Sequence, residues 1–234
     1  MAKYAVVTGT DHGLGRELAK GLFTRGYSVL AGRYDMSEEN SIVQDGILSL
    51  SLDRTDQHSI ESFAREVHRV TDRIDLLINN AGILGDMQKT IADPLDREDI
   101  RRVIDCNAIG TLMLTNVLYS LISRGDQKLI VNISSEAGSI SDCYRDGWFG
   151  YCMSKAANNM QGTLVHNLFK QIGGRVIQMH PGHVRSYMRG HLDETGKLTP
   201  AESAAAILKT VLDTELPAED RPLYIDYEGK RLNY

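Results

Sequence analysis

The sequence predicts an α/β fold, with a single doubly wound parallel sheet of about seven strands flanked by helices. Short apolar runs alternate with segments of helical period along the whole chain. Most runs are unbroken, as strands covered on both faces are. Such alternation implies right-handed crossovers that place parallel strands in one sheet. The predicted strands cover residues 4–8, 27–31, 47–52, 74–78, 129–133, 175–179 and 223–225.

The first predicted helix follows the first strand directly. Leu14, Leu18 and Leu22 repeat every four residues and form one apolar face. Gly26 stands where a glycine commonly ends a helix. After the second strand, residues 35–44 are few and polar. Any helix in that segment is therefore expected to be brief.

Three further helices are predicted in the second half of the chain. Two of them are long and cover residues 98–123 and 151–172. Thr199 and Glu202 have the spacing of a capping box, with Pro200 at the first helical position. This third helix is expected to run to about residue 212.

Composition excludes several classes of protein. With 234 residues and no linker or repeat, the chain is expected to form one domain over residues 1–234. The net charge of −5 provides no basic excess for binding nucleic acid or anionic lipid. No apolar run approaches the ~18 residues of a membrane span, and the start lacks the apolar core of a signal peptide. Three cysteines without a CxxC pair fit a reducing compartment, so a cytoplasmic protein is expected.

A glycine-rich turn joins the first strand to the first helix. Residues 8–15 read T-G-T-D-H-G-L-G, with glycines at 9, 13 and 15. Glycine permits a tight turn and a close approach of a pyrophosphate, which the helix N-terminus attracts. Three glycines alone are a weak signal, and a tight turn without a ligand is the alternative. The position between a strand and an amphipathic helix favours a dinucleotide.

The end of the second strand bears on the choice of cofactor. An acidic residue there holds a ribose 2′-hydroxyl, whereas an arginine accommodates a 2′-phosphate. Arg33 occupies this place, and His12 in the glycine turn adds partial positive charge. NADP is therefore predicted over NAD. The nearby Asp35 complicates this choice, and a solvated loop charge is the alternative interpretation of Arg33.

Tyr151 and Lys155 lie one helical turn apart, on the same face of the predicted helix 151–172. A lysine cation fixed beside the phenol lowers its pKa and suits it to proton exchange with a carbonyl or alcohol. A YxxxK pair is by itself common by chance. The opposite side of the helix is apolar and serves either the core or an interface; its residues are Met160, Leu164, Leu168 and Ile172.

Taken together, these segments resemble the short-chain dehydrogenase/reductase family. The motifs follow the family's order and cover about residues 3–186: residues 8–15, 79–82 (N-N-A-G), Asn107, 132–135 (N-I-S-S), Tyr151 with Lys155, and 181–186. Residues 134–140 and 180–182 are most similar to C-factor-like and sniffer-like carbonyl reductases. The resemblance implies a Rossmann-type fold and NADP-dependent interconversion of a small-molecule carbonyl and alcohol.

The resemblance also implies roles for individual residues. Tyr151 is the general acid/base, and Lys155 binds the nicotinamide ribose and lowers the pKa of the phenol. Ser135 hydrogen-bonds the substrate oxygen, and Asn107 ties a water to Lys155. Besides Tyr151 and Lys155, the implied cofactor contacts are Gly9, His12, Gly13, Leu14, Gly15, Arg33, Asp53, Asn80, Ala81, Gly82, Pro181, Gly182, Val184 and Ser186. Relatives often pair through their two long helices, so a homodimer or homotetramer is expected.

One departure concerns the spacing between the serine and the tyrosine. The family's serine usually precedes the tyrosine by about 13 positions, and Gly138 stands there. Three extra residues within 142–150 leave Ser135 in place, with Ser134 and Ser139 as the other choices. The aromatic residues of this insert either line one wall of the substrate pocket or pack within a surface loop; they are Tyr144, Trp148 and Phe149.

Several alternatives stay open or are excluded. His180 and His183 flank a Pro-Gly turn without acidic or cysteine partners at ligand spacing, so no metal is expected. Cys106 is a small core residue rather than a nucleophile. A nucleotide-binding sensor with little turnover is the alternative function, whereas a nucleotide-sugar epimerase needs a larger C-terminal region. The short stretch between Ser186 and Thr199 favours a small or open substrate pocket.

Overall fold

The computed structural model describes residues 2–37, 42 and 46–234. Its centre is one sheet of seven parallel strands, which confirms the predicted fold class. The strands are β1 (Lys3–Thr8), β2 (Tyr27–Arg33), β3 (Ile47–Ser51), β4 (Leu76–Asn79), β5 (Leu129–Ile133), β6 (Arg175–His180) and β7 (Leu223–Asp226). Most of the segment 35–44, where only a brief helix was predicted, lies outside the described residues.

Six α-helices connect these strands in the described part of the chain. They are α1 (Gly13–Thr24), α2 (Gln57–Val70), α3 (Arg97–Ile104), α4 (Gly110–Ile122), α5 (Phe149–Phe169) and α6 (Pro200–Leu208). The single helix predicted for residues 98–123 is instead α3 and α4, joined by a π-helical turn at Asp105–Ile109. The helix α2 was not among the predicted helices.

The predicted helix boundary signals are confirmed where the structure describes them. Gly26 follows α1 with a φ of +81°, the left-handed conformation that glycine adopts without strain. Thr199 and Glu202 form the capping box at the start of α6. The Thr199 N–H donates to Glu202 Oε2 at 2.8 Å, and the Glu202 N–H donates to Thr199 Oγ1 at 3.2 Å. Both free N–H groups are thereby satisfied.

The sheet has an apolar core on each face. Alternate residues of one strand serve the two sides: Val7 packs in the cluster that includes Leu18 of α1, and Val6 packs in the cluster that includes Phe63 of α2. Both faces are therefore covered, which is the physical reason for the unbroken apolar runs in the sequence. Among the described residues, no helix has the length and hydropathy needed to cross a membrane.

The strand order places a cleft at the carboxyl edge of the sheet. The order is β3-β2-β1-β4-β5-β6-β7. The chain therefore adds β2 and β3 on one side of β1 and adds β4 to β7 on its other side, so the order of the strands reverses between β1 and β4. Ligands of open α/β sheets bind at such a reversal, outside the carboxyl ends of the strands. The glycine turn after β1 and the turn after β4 lie at this point.

The apolar stripe on α5 is not part of the core. Met160 and Leu164 are 63% and 64% exposed, and Leu168 is 47% exposed. The buried face of the same helix carries Tyr151 and Lys155. Of the two roles predicted for the stripe, packing in the core of this chain is thus wrong.

Candidate active site

The glycine turn after β1 leaves no room for side chains. Gly9 has a φ of +68°, and a Cβ there would lie 2.7 Å from the Cα of Ala81. A Cβ on Gly15 would lie 2.1 Å from the Gly9 carbonyl oxygen. Both positions therefore require glycine, because a side chain there would collide with neighbouring atoms of the protein. The turn continues into Gly13 and the partly buried Leu14, which packs against the core.

Asn80 fixes this turn to the end of β4. Its Nδ2 donates to the carbonyl oxygens of Thr8 and Gly9, at 2.9 and 3.2 Å. The Thr8 hydroxyl in turn accepts from the backbone N–H groups of Asn80 and Ala81, at 3.0 and 3.1 Å. The predicted turn 79–82 and the predicted glycine turn are thus one hydrogen-bonded unit.

Arg33 at the end of β2 is buried, which contradicts its alternative interpretation as a solvated loop charge. Its Nη2 donates to the carbonyl oxygens of Asp35 and Ser37, both at 2.7 Å. The Asp11 carboxylate closes the same corner, accepting from the backbone N–H groups of Tyr34 and Asp35 at 3.2 and 2.7 Å. The corner expected to meet the adenosine ribose therefore contains an arginine and two carboxylates.

The carboxylate of Asp53, one of the cofactor contacts that the resemblance implies, caps its own turn. Its Oδ1 accepts from the Thr55 N–H and hydroxyl, at 2.8 and 2.7 Å. The Asp53 N–H donates to Ser59 Oγ at 2.9 Å. These bonds hold the loop after β3 against the start of α2.

Tyr151 and Lys155 are brought together in the buried interior of the cleft. The lysine ammonium lies 5.5 Å from the centre of the tyrosine ring and donates to the Ile133 carbonyl oxygen at 2.8 Å. Both side chains are less than one-tenth exposed. Burial, with the Arg54 charge as the second cause, lowers the pKa of Lys155 to about 7.

The phenol of Tyr151 does not behave as the sequence predicted. Burial raises its pKa above the ordinary value, and the hydrogen bond with Ser135 opposes this only in part. A phenolate is disfavoured because burial removes its hydration and the Glu136 carboxylate repels its charge. Burial therefore favours the neutral form of this phenol.

Three serines were considered as the partner of Tyr151, and the structure distinguishes them. Ser134 Oγ donates to Asn159 Oδ1 at 2.7 Å, away from the phenol. Ser139 Oγ accepts from the Asp142 N–H at 3.1 Å within its own loop. Ser135 is the serine that hydrogen-bonds to the Tyr151 phenol.

Glu136 forms a charged cluster beside this serine that the sequence reasoning missed. Ser135 Oγ donates its one proton to Glu136 Oε2 at 2.6 Å. The other carboxylate oxygen accepts from Arg145 of the insert, and His180 Nδ1 lies 3.7 Å from Oε2. Hydrogen bonds and these positive neighbours hold the pKa of Glu136 below its usual value in spite of burial.

Asn107 lies in the π-helical turn and is buried. Its Nδ2 donates to the Ile83 carbonyl oxygen and to Ser154 Oγ, at 2.8 and 3.0 Å, and its Oδ1 accepts from the Ile83 N–H at 2.9 Å. Gly82 lies against it, since a Cβ on Gly82 would be 3.2 Å from Asn107 Oδ1. The amide therefore joins the turn after β4 to the helix that carries Tyr151.

The insert 142–150 reaches the tyrosine through Trp148. The Trp148 ring lies edge-on to the Tyr151 ring, with centroids 6.2 Å apart, and its backbone has a φ of +63°. Arg145 lies 4.6 Å from the Tyr144 ring centre and 4.7 Å from that of Trp148. These three residues line a cavity of about 260 Å³, which Met87, Gln88, Thr90, Asp146 and Gly147 complete.

The loop after β6 crosses toward the glycine turn. The Tyr187 ring lies 5.5 Å from the ring of His12, centre to centre. Gly182 has a φ of +80°, and the Pro181 carbonyl oxygen accepts from Ser203 Oγ at 2.7 Å. The remaining predicted residues here, Val184 and Ser186, are held by backbone pairing with Leu198 and Asp193. His183 pairs with Asp193 at 3.3 Å, and no metal-binding group of three occurs among the described residues.

The comparison with protein families decides the identity of the fold. The sequence model described as short chain dehydrogenase matches residues 3–197, which is most of the chain. The chain belongs to the short-chain dehydrogenase family. The predicted family is confirmed, and this short-chain dehydrogenase is an enzyme of the oxidoreductase class.

Relatives and solved structures agree with this assignment. The chain is 31% identical to C-signal of Myxococcus xanthus over 170 residues, which cover 73% of the chain and 97% of the relative. The NADPH-bound carbonyl reductase from chicken fatty liver has a TM-score of 0.88 at 27% identity, with coverage of 100% and 99%. The putative carbonyl reductase Sniffer of Caenorhabditis elegans has a TM-score of 0.82 at 25% identity, with full coverage of both chains. The predicted likeness to C-factor-like and sniffer-like proteins is confirmed.

The residues of this short-chain dehydrogenase fit a nicotinamide dinucleotide. Gly9 and Gly15 allow the turn after β1 to pack closely on its neighbours, and a Cβ on Gly13 would meet no protein atom within 4 Å, so Gly13 borders open space at the start of α1. Lys155 and Arg54 are buried cations, and no carboxylate of the described residues lies within ion-pair distance of either. A ligand that is anionic overall, as a dinucleotide is, would favour the charged forms of such buried basic groups.

Proposed function

We propose that this short-chain dehydrogenase reduces a small carbonyl compound with NADPH, with Tyr151 as the proton donor. The observation that carries the proposal is the buried Tyr151 phenol, hydrogen-bonded to Ser135 and next to Lys155 at the cofactor turn. When bound, the nicotinamide supplies the hydride chemistry. The reverse reaction uses the same residues, so the activity is the interconversion of a carbonyl and an alcohol.

Each residue has one task in this mechanism. Tyr151 enters the reaction neutral, which is the form that donates a proton to an oxygen on which negative charge develops. Ser135 orients the phenol, and Lys155 would hold the ribose hydroxyls of the nucleotide. Asn107 would hold the helix and the turn after β4 in register, with a water toward Lys155. The surrounding burial excludes other water from the proton transfer.

The experiment is NADPH oxidation with a panel of carbonyl compounds, in the wild type and in Tyr151→Phe. We expect the variant to lose about 10²–10⁴-fold in kcat, the contribution typical of a general acid. Binding of NADPH, followed by the fluorescence of Trp148, should be retained. Tyr119→Phe is the matched control, because its ring packs on Phe169 away from the cleft. Equal rates in Tyr151→Phe and the wild type would refute the proposal.

NADP is proposed over NAD because Arg33 closes the end of β2 and His12 lies in the glycine turn. The bound NADPH of the chicken carbonyl reductase supports the same choice. The carboxylates of Asp11 and Asp35 oppose it, because a 2′-phosphate is an anion. Arg33→Ala should therefore raise the Kd of NADPH by at least about tenfold and leave that of NADH nearly unchanged, since charge-assisted bonds to phosphate are the strong ones. Equal effects on both would refute the choice.

A nucleotide sensor is the second candidate, supported by the similarity to C-signal. A sensor has no need of a proton donor buried against the cofactor turn, so we favour the enzyme. Tight NADPH binding without any oxidation across the carbonyl panel would reverse this order. Large polycyclic ketones reacting faster than small aldehydes would refute the small or open pocket.

We also propose that the chain acts as one domain and forms a homodimer or homotetramer in the cytoplasm. The support for assembly is the exposed apolar side of α5, together with Ile109 and Leu112, which are 50% and 41% exposed. Burying such a surface against a second copy removes apolar area from water. The support for a reducing compartment is that all three cysteines are free thiols.

A further inference from the structure

The interior beneath the cofactor turn contains a buried arginine, Arg54, which the sequence motifs did not single out. Arg54 is 5% exposed. Its guanidinium donates to the Ala81 carbonyl oxygen and, at 2.7 Å, to Thr111 Oγ1. A third contact is the Cys106 sulfur at 3.7 Å, and its Nε has no hydrogen-bond partner.

A guanidinium in this position is costly to the fold. A buried charge is normally paired with an opposite charge, because neutral dipoles compensate only part of the lost hydration. The nearest carboxylate that acts on Arg54 is that of Asp53, which bonds within its own turn. Gly110 allows the backbone of Arg54 to approach the start of α4 closely, since a Cβ on Gly110 would lie 2.2 Å from the Arg54 carbonyl oxygen.

Arg54 and Lys155 approach the same turn. Arg54 bonds to the carbonyl oxygen of Ala81. The Lys155 ammonium lies 3.8 Å from the point where a Cβ on Gly82, the next residue, would stand. Two like charges in one poorly hydrated region repel each other with little screening. The lysine is the one that can respond by losing its proton, because a guanidinium keeps its charge.

We propose that Arg54 is a positioning residue that promotes proton release from Lys155, because both basic side chains are buried and approach the turn at residues 81 and 82. The proposal rests on the proposed function only in that Lys155 belongs to the reacting site. Besides Arg54, the titratable groups that face Lys155 are Tyr151 on its own helix, Cys106 on the π-helical turn and His180 at the end of β6. Of these groups, Arg54 is the permanent cation.

The charge of Lys155 has direct consequences for the site. A lysine that is protonated about half the time at pH 7 both gives and takes protons at that pH. A fully charged lysine only gives them. Arg54 therefore adds to the effect of burial and makes the ammonium behind Tyr151 more readily exchangeable.

The experiment is an NMR titration of the lysine ammonium groups in the cofactor-free protein, which needs no turnover. Lys155 is assigned by the signal lost in Lys155→Met. We expect a pKa near 7 in the wild type, and a rise of at least about one unit in Arg54→Met, which is tenfold in the protonation equilibrium. Arg54→Lys keeps the charge and should keep the low value. Arg175→Met, which removes a half-buried arginine at the amino end of β6, is the matched control and should change nothing.

The pH dependence of the reaction gives a second readout. In the pH profile of the reaction, the limb that reports the titration of Lys155 should shift to a higher pH in Arg54→Met. The shift should equal the pKa change in the NMR titration, and Arg54→Lys should leave the limb in place. A folded Arg54→Met with an unchanged Lys155 titration overturns the proposal. So does a wild-type Lys155 that titrates above pH 10, a result that needs no variant at all. Weaker NADPH binding with an unchanged titration would assign Arg54 to the phosphate charges instead. Loss of activity in Tyr151→Phe tests the proposed function separately.

Discussion

Replacement of Lys155 by methionine should stabilise the cofactor-free protein while it removes a residue of the site. Methionine keeps the length of the stem and removes the buried charge. The folded pKa of Lys155 is about 7 against an ordinary 10.5, a difference of about 3.5 units. Each unit corresponds to about 1.36 kcal/mol, so the maximal penalty of the charge is about 5 kcal/mol.

The sign of the pH dependence follows from proton binding. Between pH 7 and about 10 the unfolded chain holds a proton on this lysine that the folded chain has lost, so stability rises with pH. The penalty is about 4 kcal/mol at pH 7 and about 2 kcal/mol at pH 9. The variant also loses the bond to the Ile133 carbonyl oxygen, which is worth about 1 kcal/mol.

We therefore expect Lys155→Met to exceed the wild type in free energy of unfolding by about 3 kcal/mol at pH 7 and about 1 kcal/mol at pH 9. Urea unfolding of both proteins at the two pH values measures this difference, and other groups that titrate in this range cancel in the comparison. Lys209→Met, at an exposed position after α6, is the control and should leave the difference between the two pH values unchanged. If the wild type and Lys155→Met gain equally between pH 7 and 9, the buried lysine carries no such penalty and the reasoning fails.

Three further predictions concern the surroundings of the site. Glu136→Gln removes a carboxylate whose charge raises the pKa of Tyr151. The alkaline limb of the pH profile for reduction should therefore move to a lower pH by about half a unit. An unmoved limb would show that Arg145 already cancels the charge of Glu136. Trp148→Ala removes the ring beside Tyr151 and should raise KM for bulky aromatic carbonyls by about fivefold or more. Tyr144→Ala is the variant for comparison. An unchanged preference between small and bulky carbonyls would refute the role of the insert in the substrate pocket. Leu164→Asp places a charge on the exposed side of α5 and should lower the mass measured by sedimentation, whereas Ile91→Asp, also on an exposed apolar side chain, should not.

The interior of the cleft depends on contacts between segments far apart in the chain, and these escaped the sequence patterns. Ser135 and Glu136 are neighbours in sequence, but their partners Arg145 and His180 come from the insert and from β6. Arg54 meets Ala81 and Thr111 across 27 and 57 positions. No local spacing reports such distances. In the sequence, the only signal for this residue was an arginine directly after the motif residue Asp53. The polar residues around it favour a surface loop.

The sequence patterns predicted the features that depend on short-range periodicity and on backbone conformation. Unbroken apolar runs predicted the seven parallel strands, the capping residues predicted the start of α6, and glycines predicted the turn after β1. The pairing of Tyr151 with Lys155 follows from the helical repeat alone. Their charges do not, because a pKa is set by burial and by neighbours in space. The tertiary structure was needed to show that burial raises the pKa of the phenol, that Lys155 shares its interior with Arg54, and that the apolar stripe of α5 faces outward.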